Sequence, residues 1–562
     1  SAGLWPLPKR TKLNAHIFER TERDGYSVEK VFFESLPGFL VCGNLYRPLS
    51  DGRVPGILCP HGHWGRGRLE HSANASIPGR CLSLARQGHV VFSYDMIGYN
   101  DSEQIAHRDI AGPRESLWGV GLLGMQLWNS IRAVDFLASL EQVDEQRVGC
   151  TGASGGGSQT FLLAAVDDRI AAAAPAGMVA ADFQGGCFCE NQGHLRLDIN
   201  NVEIAATMAP KPLLLVASTG DWTANTMDLE FPAIRDIYRL YGAEERVQAV
   251  IVDGTHNFNQ ESREAVYTFF GRHFLKRRRK IRERPFAVEK QERLRVFADR
   301  PKPQRLLGEK EVVESVIRRS RESRDSLRPR GPSTLRVFKA WAAPGLSHAL
   351  GIAAPAQEEL FLREMGRERR PSYIIQRKII GRRGPGERIP AVLYQPVGHK
   401  SRASAALVVH PSGKASLVDA ARGQPQREVA GLLSRGHLVL AIDPFSTGES
   451  NDGPQGEHRD QLTTYNQTGA ARRAQDIITS LAYLRSRPDV GTLCLVGLGD
   501  AGLWCLMARA LYPEVERTAI DFNRFDVDDD ETWCSKFFVP GLRAVGDVRA
   551  AVGLIAPGKL LV

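Results

Sequence analysis

The stretch that decides the fold runs from residue 147 to residue 165 and reads RVGCTGASGGGSQTFLLAA. Its first residues form an apolar, strand-like run, its last residues are typical of a helix, and a Gly-x-Ser-x-Gly motif centred on Ser154 joins them. Glycines flank a serine on a sharp strand-to-helix turn because larger side chains would clash with the neighbouring backbone. The pattern therefore predicts a nucleophile elbow and makes Ser154 the candidate nucleophile.

Two later segments supply the acid and the base that such a serine requires, in the order serine, acid, histidine. The strand-like sequence PLLLVA precedes Asp221, and the strand-like sequence VQAVIV precedes His256. Because the carboxyl ends of parallel strands meet at one edge of a sheet, we expect both residues to lie beside Ser154. Asp253 is the alternative acid, since it is close to His256 in sequence, although it follows the wrong strand for that role.

An oxyanion hole is expected from two backbone N–H groups, one in the residue after the nucleophile and one in a loop after an early strand. Gly155 supplies the first. The sequence LCPHGHWG at residues 58–65 runs from a strand into a His-Gly turn, and the N–H of His63 or of Trp64 is the candidate for the second. We expect His61 to brace this loop.

Together these motifs resemble those of α/β-hydrolase serine esterases. Residues 58–65, 152–157 (GASGGG) and 219–222 (TGDW) are similar to those of bacterial acetyl xylan esterases and dienelactone-hydrolase-like proteins. The resemblance covers residues 1–275 and implies an esterase that acts on a carbohydrate ester through an acyl-enzyme. Dienelactone hydrolases carry a cysteine where this chain has Ser154, which argues against a simple lactonase.

The chain also repeats itself. The sequence LARQGHVVFSYD at residues 84–95 matches LLSRGHLVLAID at residues 432–443. A second copy of the fold is therefore expected to begin near residue 370.

The second copy is expected to be degenerate. Its elbow reads GLGDA, so that Gly499 stands at the position of Ser154 and offers no nucleophile. Asp500 could be considered as a replacement, but it aligns with Gly155, one residue past the tip of the elbow, and no base follows it. We interpret this copy as a scaffold, with a role in holding glycan or shaping the rim of the first site as a further hypothesis.

The predicted fold class is α/β, with two α/β-hydrolase-type domains of mostly parallel sheet flanked by helices. The expected domains are residues 1–275, catalytic; residues 276–335, a basic and largely helical connector; and residues 336–562, non-catalytic. The net charge of +9 comes from the connector, which has 20 Lys and Arg against nine Asp and Glu at 276–330. Such a run is typical of a solvated linker, and contact with an acidic polysaccharide is the alternative. No reader module for nucleic acid accompanies it.

Composition limits partners and location. No run of 18 apolar residues occurs, so no membrane partner is expected, and Ser1 begins a segment without the pattern of a signal peptide. The chain lacks an initial Met, so localisation stays open, with secretion or the periplasm favoured if a leader was removed. No cofactor is expected, and the oligomeric state is left open.

The nine cysteines include the pair Cys187-Phe-Cys189, which should lie in a loop over the site, whereas most others fall in strand-like runs. This C-x-C supplies two of about four ligands that a zinc site needs, so no metal site is expected. The candidate substrate contacts are Trp118, Trp222, Cys187 and Glu190.

The function expected from these features is removal of acetyl groups from a plant-type polysaccharide, with Ser154, Asp221 and His256 as the triad. Hydrolysis of a uronic-acid ester, either pectin methyl or glucuronoyl, is the alternative within esterases. A serine oligopeptidase and a carbohydrate-binding protein are the alternatives from other classes.

Overall fold

The computed structural model describes residues 3–4, 7–108, 110, 112–399, 402–451 and 461–562. The chain divides into two compact units. The N-terminal unit comprises Ala2–Gly112 and Val120–Val316, and the C-terminal unit comprises Pro113–Gly119 and Ile317–Val562. Each unit contains one large sheet with helices packed against it, which is the two-domain α/β architecture predicted from the sequence.

The strands and helices follow one another along both units. The strands are β1 (His16–Arg23), β2 (Tyr26–Leu36), β3 (Phe39–Pro48), β4 (Val54–Leu58), β5 (Val90–Tyr94), β6 (Val143–Ala153), β7 (Ile170–Ala176), β8 (Leu213–Gly220), β9 (Val247–Thr255), β10 (Leu360–Arg369), β11 (Tyr373–Arg382), β12 (Ile389–Pro396), β13 (Ala403–Val409), β14 (Val418–Asp419), β15 (Gln424–Pro425), β16 (Leu438–Ile442), β17 (Val490–Gly497), β18 (Arg517–Ile520) and β19 (Lys559–Leu561). The helices are α1 (Ile77–Arg86), α2 (Pro113–Leu117), α3 (Leu122–Ala138), α4 (Gly155–Val166), α5 (Asn201–Ala206), α6 (Glu230–Leu240), α7 (Gln260–Leu275), α8 (Gln291–Leu294), α9 (Glu309–Ser326), α10 (Pro332–Leu350), α11 (Arg427–Ser434), α12 (Leu462–Tyr465), α13 (Gly469–Ser486), α14 (Ala501–Leu511), α15 (Asp530–Lys536) and α16 (Asp547–Ile555). Within the described ranges, none of the helices combines the length and the apolar character needed to cross a membrane.

The sheet of the N-terminal unit has nine strands in the order β1-β2-β3-β5-β4-β6-β7-β8-β9. The strands β1, β2, β3 and β5 pair antiparallel, and all pairs from β5 to β9 are parallel. Its central strands read as continuous apolar runs, and Ile57, Phe92 and Val148 are fully buried, as expected for parallel strands covered by helices. The parallel strands β6 to β9 therefore end at one edge, which collects the loops that follow them.

The sheet of the C-terminal unit has eight strands in the order β10-β11-β12-β16-β13-β17-β18-β19. This order repeats that of the first eight positions in the N-terminal sheet, with antiparallel pairs up to β16 and parallel pairs beyond it. Its core is a large apolar cluster that includes Leu407, Leu440 and Leu495 on neighbouring strands.

Both units also place a cation against an acid that follows a central strand. In the N-terminal unit Arg68, with a fully buried side chain, lies 3.1 Å from Asp95 and also contacts Asp101. In the C-terminal unit Lys414 lies 2.5 Å from Asp443, the residue that aligns with Asp95. A repeat of one fold would produce both the strand order and this ion pair, and the common ancestry of the two units stays a prediction.

The segment expected to be a largely helical connector, residues 276–335, is helical mainly in its second half. Between residues 276 and 308 the described helix is limited to the four residues of α8, because prolines such as Pro285 and Pro301 remove backbone donors and clash with a preceding turn. Helix α10 continues to Leu350, past the expected boundary at residue 335.

The first half of this segment packs as part of the N-terminal unit rather than as a solvated linker. Glu283 accepts hydrogen bonds from Arg263 at 2.7 and 2.6 Å, and the side chains of both residues are almost fully buried. Val296 is fully buried, and its backbone N–H donates to Asp101 at 2.9 Å. Residues of this segment therefore stabilise the N-terminal unit.

Candidate active site

Ser154 occupies the tip of a strained turn between β6 and α4. Its backbone has φ 56° and ψ −130°, a conformation that residues with a side chain rarely adopt. Its N–H donates to the carbonyl of Ala176 at 3.1 Å, and its side chain is half-buried. A Cβ atom on Gly152 or on Gly156 would lie 2.5 Å from the carbonyl oxygen of Pro60. The glycines of the motif are thus required by the close approach of a neighbouring loop.

Asp221 and His256 form a hydrogen-bonded pair in the loops that follow β8 and β9. The Nδ1 of His256 lies 2.7 Å from Oδ2 of Asp221, whose side chain is 2% exposed. Oδ1 of Asp221 accepts bonds from the backbone N–H and the hydroxyl of Thr223. Burial would raise the pKa of Asp221, but the bonds from His256 and Thr223 outweigh it and hold this pKa below its ordinary value. The ionised carboxylate therefore fixes the histidine with its proton on Nδ1.

The second nitrogen of His256 is left with its lone pair available. Among the described residues, Nε2 is buried and makes no hydrogen bond. Ser154 and His256 are brought to the same edge of the sheet: Ser154 bonds to Ala176, and a Cβ on the next residue, Gly177, would lie 2.7 Å from Cε1 of His256. A base without a closed bond to its nucleophile is common before substrate is present.

Asp253, the alternative acid, is engaged elsewhere. It is exposed, and it accepts a hydrogen bond from the hydroxyl of Thr219 at 2.7 Å. The structure thus pairs His256 with Asp221.

Two tryptophans flank the ring of His256. The ring of Trp222 lies 4.5 Å from it, and that of Trp64 lies 6.1 Å from it at an interplanar angle of 18°. The Nε1–H of Trp222 donates to the carbonyl of Gly177 at 2.6 Å. The ring of Phe183 also packs against that of Trp222, with 4.3 Å between the ring centres. These aromatic contacts restrict the imidazole to the orientation set by Asp221.

The loop after β4 lies directly against the elbow. A Cβ on Gly62 would lie 2.8 Å from Cβ of Ser154, and a Cβ on Gly155 would lie 2.7 Å from Cε1 of His63. The candidate donor His63 therefore directly follows the residue that lies against Ser154, and its own ring lies beside Gly155; Trp64, the other candidate, is the next residue in the loop.

His61 braces this loop, as expected from the sequence. It is fully buried, with Nδ1–H donating to the carbonyl of Gly62 at 2.7 Å and Nε2 accepting the backbone N–H of Met96 at 2.9 Å. Burial lowers the pKa of His61 to about 3, so the ring is neutral and can make both bonds at once.

A cavity of about 560 Å³ opens at Ser154 within the N-terminal unit. Its volume is in the range of sites that take small organic ligands. It is lined by His63, Tyr99, Ala106, His107, Arg108, Ser154, Met178, Phe183, Gly186, Cys187, Glu190 and Trp222.

Three of the four residues expected to contact substrate line this cavity, namely Trp222, Cys187 and Glu190. Glu190 is 4% exposed, and its two carboxylate oxygens accept bonds from the hydroxyl of Ser158 at 3.0 Å and from the N–H of Cys187 at 3.2 Å. Its carboxylate thus holds the loop after β7, which leaves it less free for a sugar than the sequence suggests.

Trp118, the fourth of these residues, does not line the cavity. It is 1% exposed and belongs to the C-terminal unit, where its Nε1–H donates to Asp530 at 2.9 Å. The guanidinium groups of Arg321 and Arg543 lie 4.7 and 5.0 Å from the ring centre. Nearness in sequence to the loops of the site was misleading because α2 packs into the other unit.

Sequence reasoning missed Tyr99, His107 and Arg108, which come from the loop after β5, and Phe183, from the loop after β7. The available signal was a His-Arg pair in a long insertion at the carboxyl end of a parallel strand, where ligand-facing residues concentrate.

Four metal-type donors also meet in the cavity wall. Atoms of His63, His107, Cys187 and Cys189 all lie within 4.8 Å of one another. The sequence showed two of these donors in one motif, and the fold adds two histidines from separate loops. Hydrogen bonds from Cys189, His107 and His63 lower the pKa of the Cys187 thiol to about 2 despite its burial.

The corresponding elbow of the C-terminal unit keeps its shape and lacks the hydroxyl. Gly499 has φ 53°, close to that of Ser154. The neighbouring Asp500 accepts a hydrogen bond from Asn523 at 2.9 Å and lies 3.7 Å from Lys536.

Comparison with known proteins identifies relatives of the N-terminal unit. Residues 9–194 match the family model described as acetyl xylan esterase (AXE1). The hydrolase-like protein YtaP of Bacillus subtilis (strain 168) is 29% identical over 179 residues, which are 30% of this chain and 58% of that protein. The chain thus matches less than two thirds of the length of this curated relative.

Solved structures of esterases are also similar. Methylesterase BT1017 is 31% identical, with 56% of this chain and 71% of that chain covered and a TM-score of 0.47. A glucuronoyl esterase from Solibacter usitatus is 18% identical, with 47% and 86% covered and a TM-score of 0.37. The family match includes the elbow and the loop after β4, and it ends before Asp221 and His256. The part of the chain that is similar to acetyl xylan esterases by family model is therefore residues 9–194, within the N-terminal unit.

Proposed function

We propose that this chain removes small ester groups, first of all acetyl groups, from a plant-type polysaccharide or oligosaccharide through an acyl-enzyme on Ser154. The observation that carries the proposal is the pair of the Asp221 carboxylate, which is buried, and the half-buried His256, 2.7 Å apart, at the same sheet edge as the strained serine. The cavity beside Ser154 supports it, because a volume of about 560 Å³ can take a sugar unit with its ester. The family match supports the carbohydrate class of substrate.

In the acylation step, Oγ of Ser154 attacks the ester carbonyl carbon while Nε2 of His256 takes the hydroxyl proton. Asp221 accepts a bond from Nδ1–H and stabilises the imidazolium that forms. The sugar hydroxyl then leaves with the proton held on Nε2. Water, deprotonated by the same nitrogen, attacks the acyl-enzyme and releases the acid.

The negative oxygen of each tetrahedral intermediate needs hydrogen-bond donors that are already in position. We assign these to the backbone N–H groups of Gly155 and of His63, with Trp64 as the alternative, because the loop after β4 touches the elbow at Gly62. One such donor is typically worth about 3 kcal/mol in the transition state.

A uronic-acid ester is the second candidate substrate, and one observation favours it. Arg108, which is exposed, lines the cavity that contains Ser154. In a partly esterified uronic-acid polymer the units next to the ester carry free carboxylates, which a guanidinium attracts. The carbonyl carbon would then belong to the sugar, and methanol or another alcohol would leave.

The test is the release of acetate and of methanol, measured side by side, from acetylated xylan and from methyl-esterified pectin. The full chain, Ser154→Ala and the exposed serine variant Ser326→Ala as matched control are compared. Acetate release that is lost in Ser154→Ala and kept in Ser326→Ala supports the deacetylase. Methanol release with the same dependence on Ser154 transfers the assignment to uronic-acid esters.

Release of neither product by the folded chain would contradict both esterase assignments. Cleavage of peptides that is lost in Ser154→Ala would indicate an oligopeptidase, and binding to polysaccharide without turnover would indicate a carbohydrate-binding protein.

A further inference from the structure

We propose that His63, His107, Cys187 and Cys189 bind one zinc ion in the wall of the cavity beside Ser154. The four donor atoms lie within 4.8 Å of one another although they come from three separate loops. The inference goes beyond the proposed function, and its test needs no substrate.

The donor set matches the preference of zinc. Two thiolates and two imidazoles in a tetrahedral arrangement are typical of structural zinc sites. Bond lengths of about 2.3 Å to sulfur and about 2.0 Å to nitrogen give donor separations of roughly 3.3 to 3.8 Å. Nε2 of His63 lies 3.1 Å from Sγ of Cys189, and Nε2 of His107 lies 3.4 Å from Sγ of Cys187. No separation exceeds 4.8 Å, which is at most about 1 Å above the ideal, a difference that small rotations of the side chains can close.

The surroundings orient the donors toward one point. Nδ1–H of His107 donates to the carbonyl of Ile97 at 2.6 Å, which leaves the lone pair of Nε2 directed at Cys187. The backbone N–H of Cys187 donates to Glu190 at 3.2 Å, which holds the loop that carries both cysteines. Cys187 and Cys189 are 8% and 0% exposed, so that an ion between them would be shielded from solvent.

Four protein ligands leave no open coordination position, so we assign the ion a structural role rather than a chemical one. It would tie the loops after β4, β5 and β7, which together form the cavity wall. His63 would bind the metal with its side chain while its backbone N–H faces the oxyanion. The expected effect of metal removal on catalysis is therefore a lower kcat, with a smaller change in KM.

The primary experiment uses the full chain, reduced and purified without a polyhistidine tag. Elemental analysis should find one zinc per chain. After removal of the metal with a chelator, titration with Co²⁺ should saturate at one equivalent and give the intense visible bands of tetrahedral cobalt together with thiolate-to-cobalt charge transfer. Added Zn²⁺ should abolish both signals.

Variants assign the ligands. Cys187→Ser, Cys189→Ser and His107→Gln should each lose the stoichiometric metal, whereas Cys494→Ser, a half-buried cysteine of the C-terminal unit, should retain it. Because a ligand variant can fail to fold, alkylation of the native chain gives a second measurement: zinc should protect Cys187 and Cys189 and leave the labelling of Cys494 unchanged.

A folded, reduced wild-type chain that takes up less than one Co²⁺, or takes it up without thiolate charge transfer, would overturn the proposal. Retention of zinc in the Cys187→Ser/Cys189→Ser double variant would do the same. An inactive chain that shows the full cobalt spectrum would contradict the proposed function and leave the metal site standing.

Discussion

At the scale of single residues, hydrogen-bond partners decide between two aspartates that the sequence leaves in competition. Asp221 is buried, with one oxygen on His256 and the other on Thr223. Asp253 is exposed and bonds to Thr219. A triad acid must hold the imidazole tautomer from within a shielded site, and Asp221 alone of the two meets that requirement.

We expect Asp221→Asn to lower kcat about 10⁴-fold with little change in folding, because the amide favours the wrong tautomer of His256. Asp253→Asn is the matched control and should retain the activity of the wild type. Steady-state kinetics on a soluble acetyl ester measure both variants. A loss in Asp253→Asn with activity kept in Asp221→Asn would exchange the two assignments.

The buried imidazole of His89 predicts a pH dependence of stability. Burial lowers the pKa of His89 to about 4, against an ordinary value of 6.5, and Arg277 and Arg147 lower it further while a bond to the carbonyl of Leu84 opposes them. Below pH 6.5 the unfolded chain binds a proton that the folded chain refuses, so stability falls as the pH decreases from 6.5 to 4. The total loss is about 3 kcal/mol.

The measurement is denaturant unfolding between pH 7.5 and pH 4 for the wild type and for His89→Gln, whose amide can still donate to Leu84. As the pH falls from 6.5 to 4, the free energy of unfolding of the wild type should decrease relative to that of His89→Gln, since the glutamine does not titrate. A difference that stays constant across the window would refute the assignment to His89.

The residues that sequence could identify are those in local motifs. Ser154, Asp221 and His256 each stand directly after a recognisable strand, so their positions at one edge follow from the topology of a parallel sheet. His107 and Arg108 lie within a longer loop, and which atoms they meet depends on the path of that loop. The Cys-x-Cys pair was visible, but its two histidine neighbours are 80 and more residues away in sequence.

At the scale of elements, helix α2 shows that a segment's position in the sequence does not decide which unit it packs in. This helix lies between two segments of the N-terminal unit, yet it belongs to the C-terminal unit, where Trp118 is buried among arginines. Hydrophobic pattern predicts that such a tryptophan is buried, and it gives no information on the partner. The connector shows the same limit of sequence-based prediction. Its prolines indicate from the sequence where a helix cannot form, whereas the burial of Val296 could be seen only in the tertiary structure.

Trp118→Ala should therefore act on stability and not on substrate binding. Removing a fully buried tryptophan typically costs about 3 to 5 kcal/mol, and Asp530 would lose the donor that now lies 2.9 Å away. Trp341→Ala, at a half-buried position of α10, is the matched control and should cost less. Chemical denaturation measures both; an increase in KM for Trp118→Ala without loss of stability would restore it as a substrate contact.

At the scale of the whole molecule, two units share a strand order and an elbow shape, and one of them carries the proposed triad. Fold class and repeat could be predicted because alternating strand and helix patterns and the matching segments are sequence features. The unit boundaries could not, since they depend on which surface each segment packs against.

The C-terminal elbow gives a prediction for the molecule as a whole: the variant Ser154→Ala/Gly499→Ser should have no esterase activity. Gly499 already has φ 53°, and its Cβ direction meets Pro411 no closer than 3.5 Å, so a serine fits at a cost of about 1 kcal/mol of backbone strain. Among the residues that the structure describes in this unit, no histidine–carboxylate pair stands at that edge: His410 follows β13 there, but its Nδ1 accepts the backbone N–H of Ser412 at 3.1 Å. The described His399–Asp489 pair precedes β17, whereas Gly499 follows it, so the two lie at opposite ends of the strand.

Acetate release and labelling with a fluorophosphonate, which reacts with activated serines, measure this prediction independently. The wild type should be labelled at Ser154, and the double variant should show neither label nor release above background, because a hydroxyl without a base is a weak nucleophile at neutral pH. Labelling at position 499 would mean that the C-terminal unit retains a working base, and the assignment of catalysis to the N-terminal unit alone would fall.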